Sequence, residues 1–317
     1  MSAEILVSTK DMSHEEWLKN RTRGIGGSEV ASICGISKYS SPYKVYLRKI
    51  GELPYEPQSE SAHWGNTLED VVAKEFTRVT GKKVRNKNVM LRSKENDFMI
   101  ANLDRVVVGE KTFLECKTTS LYNAHLWEDD KIPEGYMLQV QHYMYVCGFK
   151  YCYIACLIGG QNFVWKKIKR DDELINMMIE IEKNFWFNHV IAKVPPSIVG
   201  GEADSKLLEK LYPNSENNTE IELSCEAIEY IEKLNKLKEQ KKELEEQIIN
   251  CENYLKNALQ ENEIGNIDNY KVVWKTSTRK SFDSKAFKEE NEELYNKYLK
   301  ESQSRRFSIK INNKECK

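Results

Sequence analysis

Asp104-Arg-Val-Val-Val-Gly-Glu-Lys-Thr-Phe-Leu-Glu115-Cys-Lys117 is the stretch that decides the fold, because it closes on paper into a hairpin carrying a cation site. Val106 to Val108 and Thr112 to Leu114 are strand formers flanking Gly109-Glu110, and a two-residue turn with Gly in its first central position is a favoured hairpin connection. Counting outward, Val108 faces Lys111 and Asp104 faces Glu115, with Cβ atoms about 4.5–5.5 Å apart on one side of the sheet. Lys117, two residues further on, shares that side. Facing carboxylates repel and weaken a hairpin unless a divalent cation sits between them. A surface hairpin with solvated acids is the competing reading, since these residue types are common. Against it, Glu115 and Lys117 interrupt the apolar run of Phe113, Leu114 and Cys116, where a purely structural strand would not place them.

Other segments bring groups toward the same chemistry. Trp64 to Phe76 reads as a helix ending at Gly81, with Leu68, Val72, Phe76 and Val79 as its apolar stripe. Glu69 falls at the edge of that buried face, although a half-exposed helix acid also fits. A second helix, Glu134 to Cys147, carries Tyr136, Gln139 and Tyr143 on one side; tyrosines suit a core, but a Gln in that stripe is less easily explained by burial. Gly26-Gly27 allows close backbone approach, and Ser28 suits an N-cap for Glu29 to Cys34, with Gly35 as stop. Its free N–H groups suit an anion, and an ordinary Gly-rich turn entering a helix is the alternative. A further helix has Ser41 as cap, Pro42 at its first position and Gly51 as terminator.

Taken together, Trp17 to Glu29, Ser41-Pro42-Tyr43, Gly65 to Glu69, Asp104, Glu115-Cys-Lys117 and Tyr136 to Met144 resemble the YqaJ-type viral recombinase family. These are phage and prophage alkaline exonucleases, similar to lambda exonuclease and belonging to the PD-(D/E)xK nuclease superfamily. The resemblance spans about residues 13 to 200, and its separated motifs occur in the family's order. It implies an α/β core with a mixed central sheet flanked by helices. It implies that Asp104, Glu115 and the Cys116 backbone carbonyl hold Mg²⁺ or Mn²⁺, with Glu69 completing the acidic shell of a two-metal site. It further implies that Lys117 orients or helps deprotonate the attacking water, that Tyr136 and Gln139 support that water and the DNA strand, and that Arg21 and Ser28 grip a terminal 5′ phosphate. Asn102-Leu103 stand before Asp104 where the superfamily motif often begins Pro-Asp. The implied activity is 5′-to-3′ digestion of one strand from a double-stranded DNA end. The product strand would pass to a single-strand-annealing recombinase partner, and the protein would be a homo-oligomer such as a trimeric ring. An endonuclease, a RecB-like nuclease of other polarity and a non-catalytic DNA-end-binding assembly protein are the alternatives.

Composition frames this reading. A chain of 317 residues with 40% hydrophobic content can bury one sizeable core and carry an appended module. No apolar run approaches a membrane span and Met1 to Asn20 lack a signal-peptide core, so a soluble intracellular protein is expected, and the resemblance implies the cytoplasm of a bacterial host. The eight Cys read as thiols; Cys147, Cys152 and Cys156 raise an iron–sulfur cluster, but Tyr151 to Ile158 alternate as a buried strand without a tight C-x-x-C pair. Net charge is −1, with basic clusters at Lys82 to Lys87 and Lys166 to Arg170 that could face phosphates or simply be solvated.

The domain expectation is a nuclease domain over 1–200, a linker over 201–220, and a coiled-coil helix with a small α+β appendage over 221–317. In the last part, Tyr230, Leu234, Leu237, Lys241, Leu244, Ile248, Cys251, Leu255 and Ala258 recur at alternating spacings of four and three. So narrow a stripe needs a partner helix, from its own chain or another copy. Beyond it Tyr270 to Lys275 reads as a strand, Lys285 to Lys300 as a polar helix and Arg305 to Lys310 as a closing strand.

Overall fold

A computed structural model describes residues 2–309, apart from 56, 58, 199, 200, 218 and 302–304. The chain divides into two compact units between Leu211 and Tyr212. In chain order the first holds β1 (Ala3–Ser8), α1 (His14–Arg21), β2 (Ile25–Gly26), α2 (Gly27–Ile33), α3 (Pro42–Lys49), α4 (Glu60–Thr80), β3 (Val84–Arg85), β4 (Val89–Ser93), β5 (Met99–Ala101) and β6 (Arg105–Val107). There follow β7 (Phe113–Thr119), α5 (Glu134–Cys147), β8 (Tyr151–Ile158), β9 (Asn162–Lys169), α6 (Asp172–Asn184) and α7 (Glu202–Leu211). This is the mixed α/β core that the sequence implies. One sheet has the order β3-β6-β7-β8-β9 and the other β1-β4-β5-β2. Each is mixed, because β7 runs parallel to β8 and β2 to β5 while the remaining pairs are antiparallel.

Strand alternation sorts β7 into two faces. Leu114 and Cys116 join Tyr153 and Ala155 against Val72, Ala73 and Phe76 of α4. Phe113 faces the other way with Ile154, toward Val140, Tyr143 and Met144 of α5. Phe76 is fully buried and packs at 5.3 Å on the Tyr153 ring, so truncating it to Ala costs about 3–5 kcal/mol. The α4 helix starts earlier than expected, at Glu60 behind the Ser59 cap, and ends at Gly81 with φ +72° as read. Its Val79 is exposed, so Val72, Ala73 and Phe76 carry the packing.

Two local expectations are corrected. The β6–β7 connection is not a two-residue turn: the Val107 N–H donates to the Thr112 carbonyl at 3.2 Å, leaving four residues outside the ladder. Gly109 sits at φ +82° in the third position of the tight turn from Val107 to Glu110, where a left-handed residue is needed. The longer turn adds one residue to each side, so the register survives, with Arg105 opposite Leu114 and Val106 opposite Phe113. Ser28 is not the cap of α2. Gly26 is, in extended conformation, and the Glu29 carboxylate reaches back to accept the Gly26 N–H at 2.9 Å, the half of a capping box that needs no side chain at the cap. The Ser41 cap and Pro42 start of α3 are as read.

The second unit contains α8 (Glu226–Leu259), a hairpin of β10 (Ile264–Ile267) and β11 (Tyr270–Val273), then α9 (Ser284–Glu290) and α10 (Glu292–Tyr298). The single helix expected over Lys285 to Lys300 is broken at Asn291, whose backbone leaves the helical region at φ −140°, ψ 55°. Arg305 to Ile309 form no strand, and Lys310 lies outside the described residues. In 201–220, read as a linker, Glu202–Leu211 forms α7, and the described residues from Tyr212 to Glu220 form no helix or strand. Leu237, Leu244 and Ile248 of α8 are 52%, 58% and 57% exposed, so no fold-back covers the stripe among the described residues. No helix among the described residues is long and apolar enough to cross a membrane.

Candidate active site

The hairpin register and the crossover helix α5 converge on one cluster. Asp104 lies just before β6, and its Oδ2 accepts the Cys116 N–H at 2.8 Å, tying the two ends of the hairpin through a side chain. On β7, Lys117 Nζ donates to Glu115 Oε1 at 2.8 Å. Gln139 of α5 touches both: its Oε1 accepts from Lys117 at 3.0 Å and its Nε2 donates to Glu115 Oε1 at 2.6 Å. Tyr136, one turn earlier, sets its ring 4.8 Å from the Lys117 ammonium. Tyr143 adds a contact at 3.5 Å from Gln139 Nε2 to its hydroxyl. The sequence therefore selected Asp104, Glu115, Lys117, Gln139 and Tyr136 as residues that the fold brings together.

Burial sets their electrostatics. Glu115 is 1% exposed, and its Oε2 has no hydrogen-bond partner among the described residues. Burial, joined by the Glu115 charge, pushes the Asp104 carboxyl up to about 7. Burial also raises Glu115, against the pull of Lys117. For Lys117, burial alone would favour the neutral amine, but Glu115 and Asp104 more than reverse that, so the side chain is an ammonium.

Glu69 comes from α4 and is raised by burial and by Asp104. It is bound to Arg105, whose guanidinium also approaches Asp70 at 3.5 Å. Glu69, Asp104, Arg105 and Trp17 line a cavity of about 200 Å³. Each acid is engaged by a donor of its own: Glu69 by Arg105, Asp104 by the Cys116 N–H and Glu115 by Lys117. Accordingly, no three His, Cys, Asp or Glu side chains among the described residues are gathered about one point that a metal ion could occupy. Sequence reading missed Arg105; its signal is a charge immediately after Asp104, which alternation turns toward α4 and its acids.

The amino-terminal motif forms a second polar cluster. Arg21 Nη2 donates to Ser28 Oγ at 2.9 Å and lies 3.4 Å from Glu29, while its Cζ stands 4.9 Å from the Trp17 ring centre. The Arg21 Nε is buried with no acceptor among the described residues. Lys49, also missed from sequence, has a side chain 0% exposed and donates to the Arg21 carbonyl at 2.7 Å, the Gly24 carbonyl at 2.6 Å and Glu29 Oε2 at 2.7 Å. Its signal is a basic residue among the apolar Val45, Tyr46 and Leu47 of α3. The two clusters meet at α5: a Cβ on Gly27 would lie 2.6 Å from Tyr143 Cε1 and 2.9 Å from the Gln139 carbonyl.

Comparison with known proteins gives the family of the chain. The YqaJ-like viral recombinase domain matches residues 16–150. The uncharacterized protein YqaJ of Bacillus subtilis (strain 168) is 45% identical over 311 residues, covering 97% of this chain and 98% of the relative. The chain belongs to the YqaJ-like viral recombinase family. Among solved structures, an alkaline exonuclease from Laribacter hongkongensis is similar with a TM-score of 0.48 and 18% identity, over 62% of this chain and 100% of its own. A phage-related exonuclease from Haemophilus somnus 129PT gives a TM-score of 0.44 and 18% identity, over 54% and 96%.

Proposed function

We propose that this chain is a metal-dependent deoxyribonuclease that digests one strand of duplex DNA from its 5′ end, leaving the other for a single-strand-annealing partner. The observation that carries the reading is the set of Asp104, Glu115, Lys117 and Gln139 on one side of β7, with Glu115 and Gln139 buried and Asp104 and Lys117 half-buried. Membership of a viral recombinase family accords with work on DNA.

The donor set fits a hard divalent cation such as Mg²⁺ or Mn²⁺. Asp104 is a half-buried acid raised by desolvation and by the charge of the buried Glu115, and Glu115 Oε2 has no hydrogen-bond partner among the described residues. Asp104, Glu115 and the Cys116 carbonyl would hold the ion, and Glu69 would join them on leaving Arg105. When bound, the cation lowers the pKa of a coordinated water and neutralises charge on phosphodiester oxygens.

The protein's own groups do the rest. The Lys117 ammonium, steadied by Gln139 and by the Tyr136 ring, would offer a donor to an attacking water or to a phosphate oxygen. Arg21, whose Nε has no acceptor among the described residues, with the Ser28 hydroxyl beside its Nη2, suits the doubly charged phosphate of a 5′ end.

The test is purified protein with Mg²⁺ on linear duplexes bearing a 5′-phosphate or a 5′-hydroxyl and on closed circles, resolved strand by strand. Loss of the 5′-phosphorylated strand alone is expected. Cutting of closed circles would make it an endonuclease, loss of the 3′ end would reverse the polarity, and no cleavage of any substrate would leave a DNA-end-binding protein.

A further inference from the structure

We propose that α8 is a self-association surface, paired antiparallel with α8 of a second copy of this chain. The helix runs unbroken through 34 residues, and Tyr230, Leu237, Leu244, Ile248 and Leu255 of its stripe lie open to solvent, with Leu234 half-buried. Charge along the helix identifies the occupant. Between 233 and 242 it carries Lys233, Lys236, Lys238, Lys241 and Lys242 against Glu239 alone; between 243 and 252 it carries Glu243, Glu245, Glu246 and Glu252 with no lysine. A parallel copy would set lysines beside lysines and glutamates beside glutamates. An antiparallel copy sets each basic half over an acidic half, and a two-fold axis makes the same match twice.

The apolar spacing selects the same register. When the axis passes between Lys242 and Glu243, the layers pair Leu234 with Cys251, Leu237 with Ile248 and Lys241 with Leu244 of the second copy. Every layer then joins one heptad position of each type, as an antiparallel coiled coil requires. Lys238 flanks this seam opposite Glu245 of the second copy. Lys241, which a parallel pair would force against its own equivalent, meets a leucine instead and can extend its ammonium to the acidic half. The overlap of Tyr230 to Leu255 at about 1.5 Å per residue makes a seam of roughly 38 Å. The inference stands independently of the nuclease reading.

Three measurements on the full chain test it. Sedimentation or light scattering should show that Leu237→Asp with Leu244→Asp halves the solution mass; an unchanged mass overturns the proposal. Lys238→Glu should weaken association about tenfold through two like-charge contacts, and adding Glu245→Lys in the same chain should restore it. Failure of that rescue overturns the register. Mild oxidation of Leu234→Cys in a Cys225→Ser background, read by peptide mass spectrometry, should link position 234 to Cys251 of the other copy, which requires only that the variant be folded. A Cys251–Cys251 link instead, as parallel pairing gives, or a wild type that is monomeric at tens of micromolar, sinks the idea.

Discussion

Lys117 and Glu115 lie two residues apart on one side of β7, with Nζ 2.8 Å from Oε1, and Gln139 reaches across from α5 to bond both. Glu115→Gln keeps an oxygen in that triangle while removing the charge a cation needs. It should abolish hydrolysis, a loss of roughly a thousandfold or more, with the melting temperature nearly unchanged. Single-turnover cleavage within tenfold of wild type, in folded protein free of contaminating nuclease, would move the chemistry elsewhere.

Arg21 meets Ser28 and Glu29 through its Nη2 and keeps Nε uncommitted among the described residues. Arg21→Ala should slow digestion of 5′-phosphorylated ends far more than of 5′-hydroxyl ends. Arg21→Lys should recover only part of the difference, since a point charge lacks the planar fork. Equal slowing on both ends would assign Arg21 a general backbone or structural contact.

Gly27 is the only residue type that fits where α2 crosses α5. Gly27→Ala drives a methyl into the Tyr143 ring and the Gln139 carbonyl, so α2 or α5 must shift. The expected cost is about 1–3 kcal/mol of stability together with a fall in kcat. Calorimetry and single-turnover rates read both; unchanged values in each would show that the contact yields freely.

Glu29 supplies the acid dependence. Burial alone would raise its carboxyl, but Lys49 and Arg21 outweigh that, leaving it below the ordinary range. The stabilisation is therefore complete above an unfolded glutamate pKa of about 4.3 and is lost as pH falls through the folded value. Glu29→Gln should be less stable at neutral pH by about 3–5 kcal/mol, with Lys49 left buried without a counter-charge, yet should show a flatter melting temperature between pH 5 and 3 than wild type. Parallel curves would shift the acid sensitivity to another group.

The hairpin and its acids were legible because strand alternation is a strict period of two, so the register tolerated an error in turn length. Asp104 opposite Glu115 follows from either turn. Gln139 was legible as a polar residue on an apolar stripe. Arg105 and Lys49 were not, because each acts through partners distant in sequence: Glu69 is 36 residues from Arg105, and Glu29 is 20 residues from Lys49. Ser28 was assigned a cap by composition alone, whereas the extended backbone of Gly26 and the Glu29 carboxylate filled that role first.

The parallel pairing of β7 with β8 also dates the site in the life of the chain. Parallel strands need a crossover, and here it runs from Thr119 to Tyr151 with α5 inside it. During synthesis Asp104, Glu115 and Lys117 leave the ribosome with no strand to secure β7 on that edge and no α5 to bring Gln139. Released fragments that end before residue 150 should accordingly be cut by protease across β6 and β7, and the whole chain protected there. A site so built stays incomplete while its own message is being read, and it closes only with the last strands of the sheet.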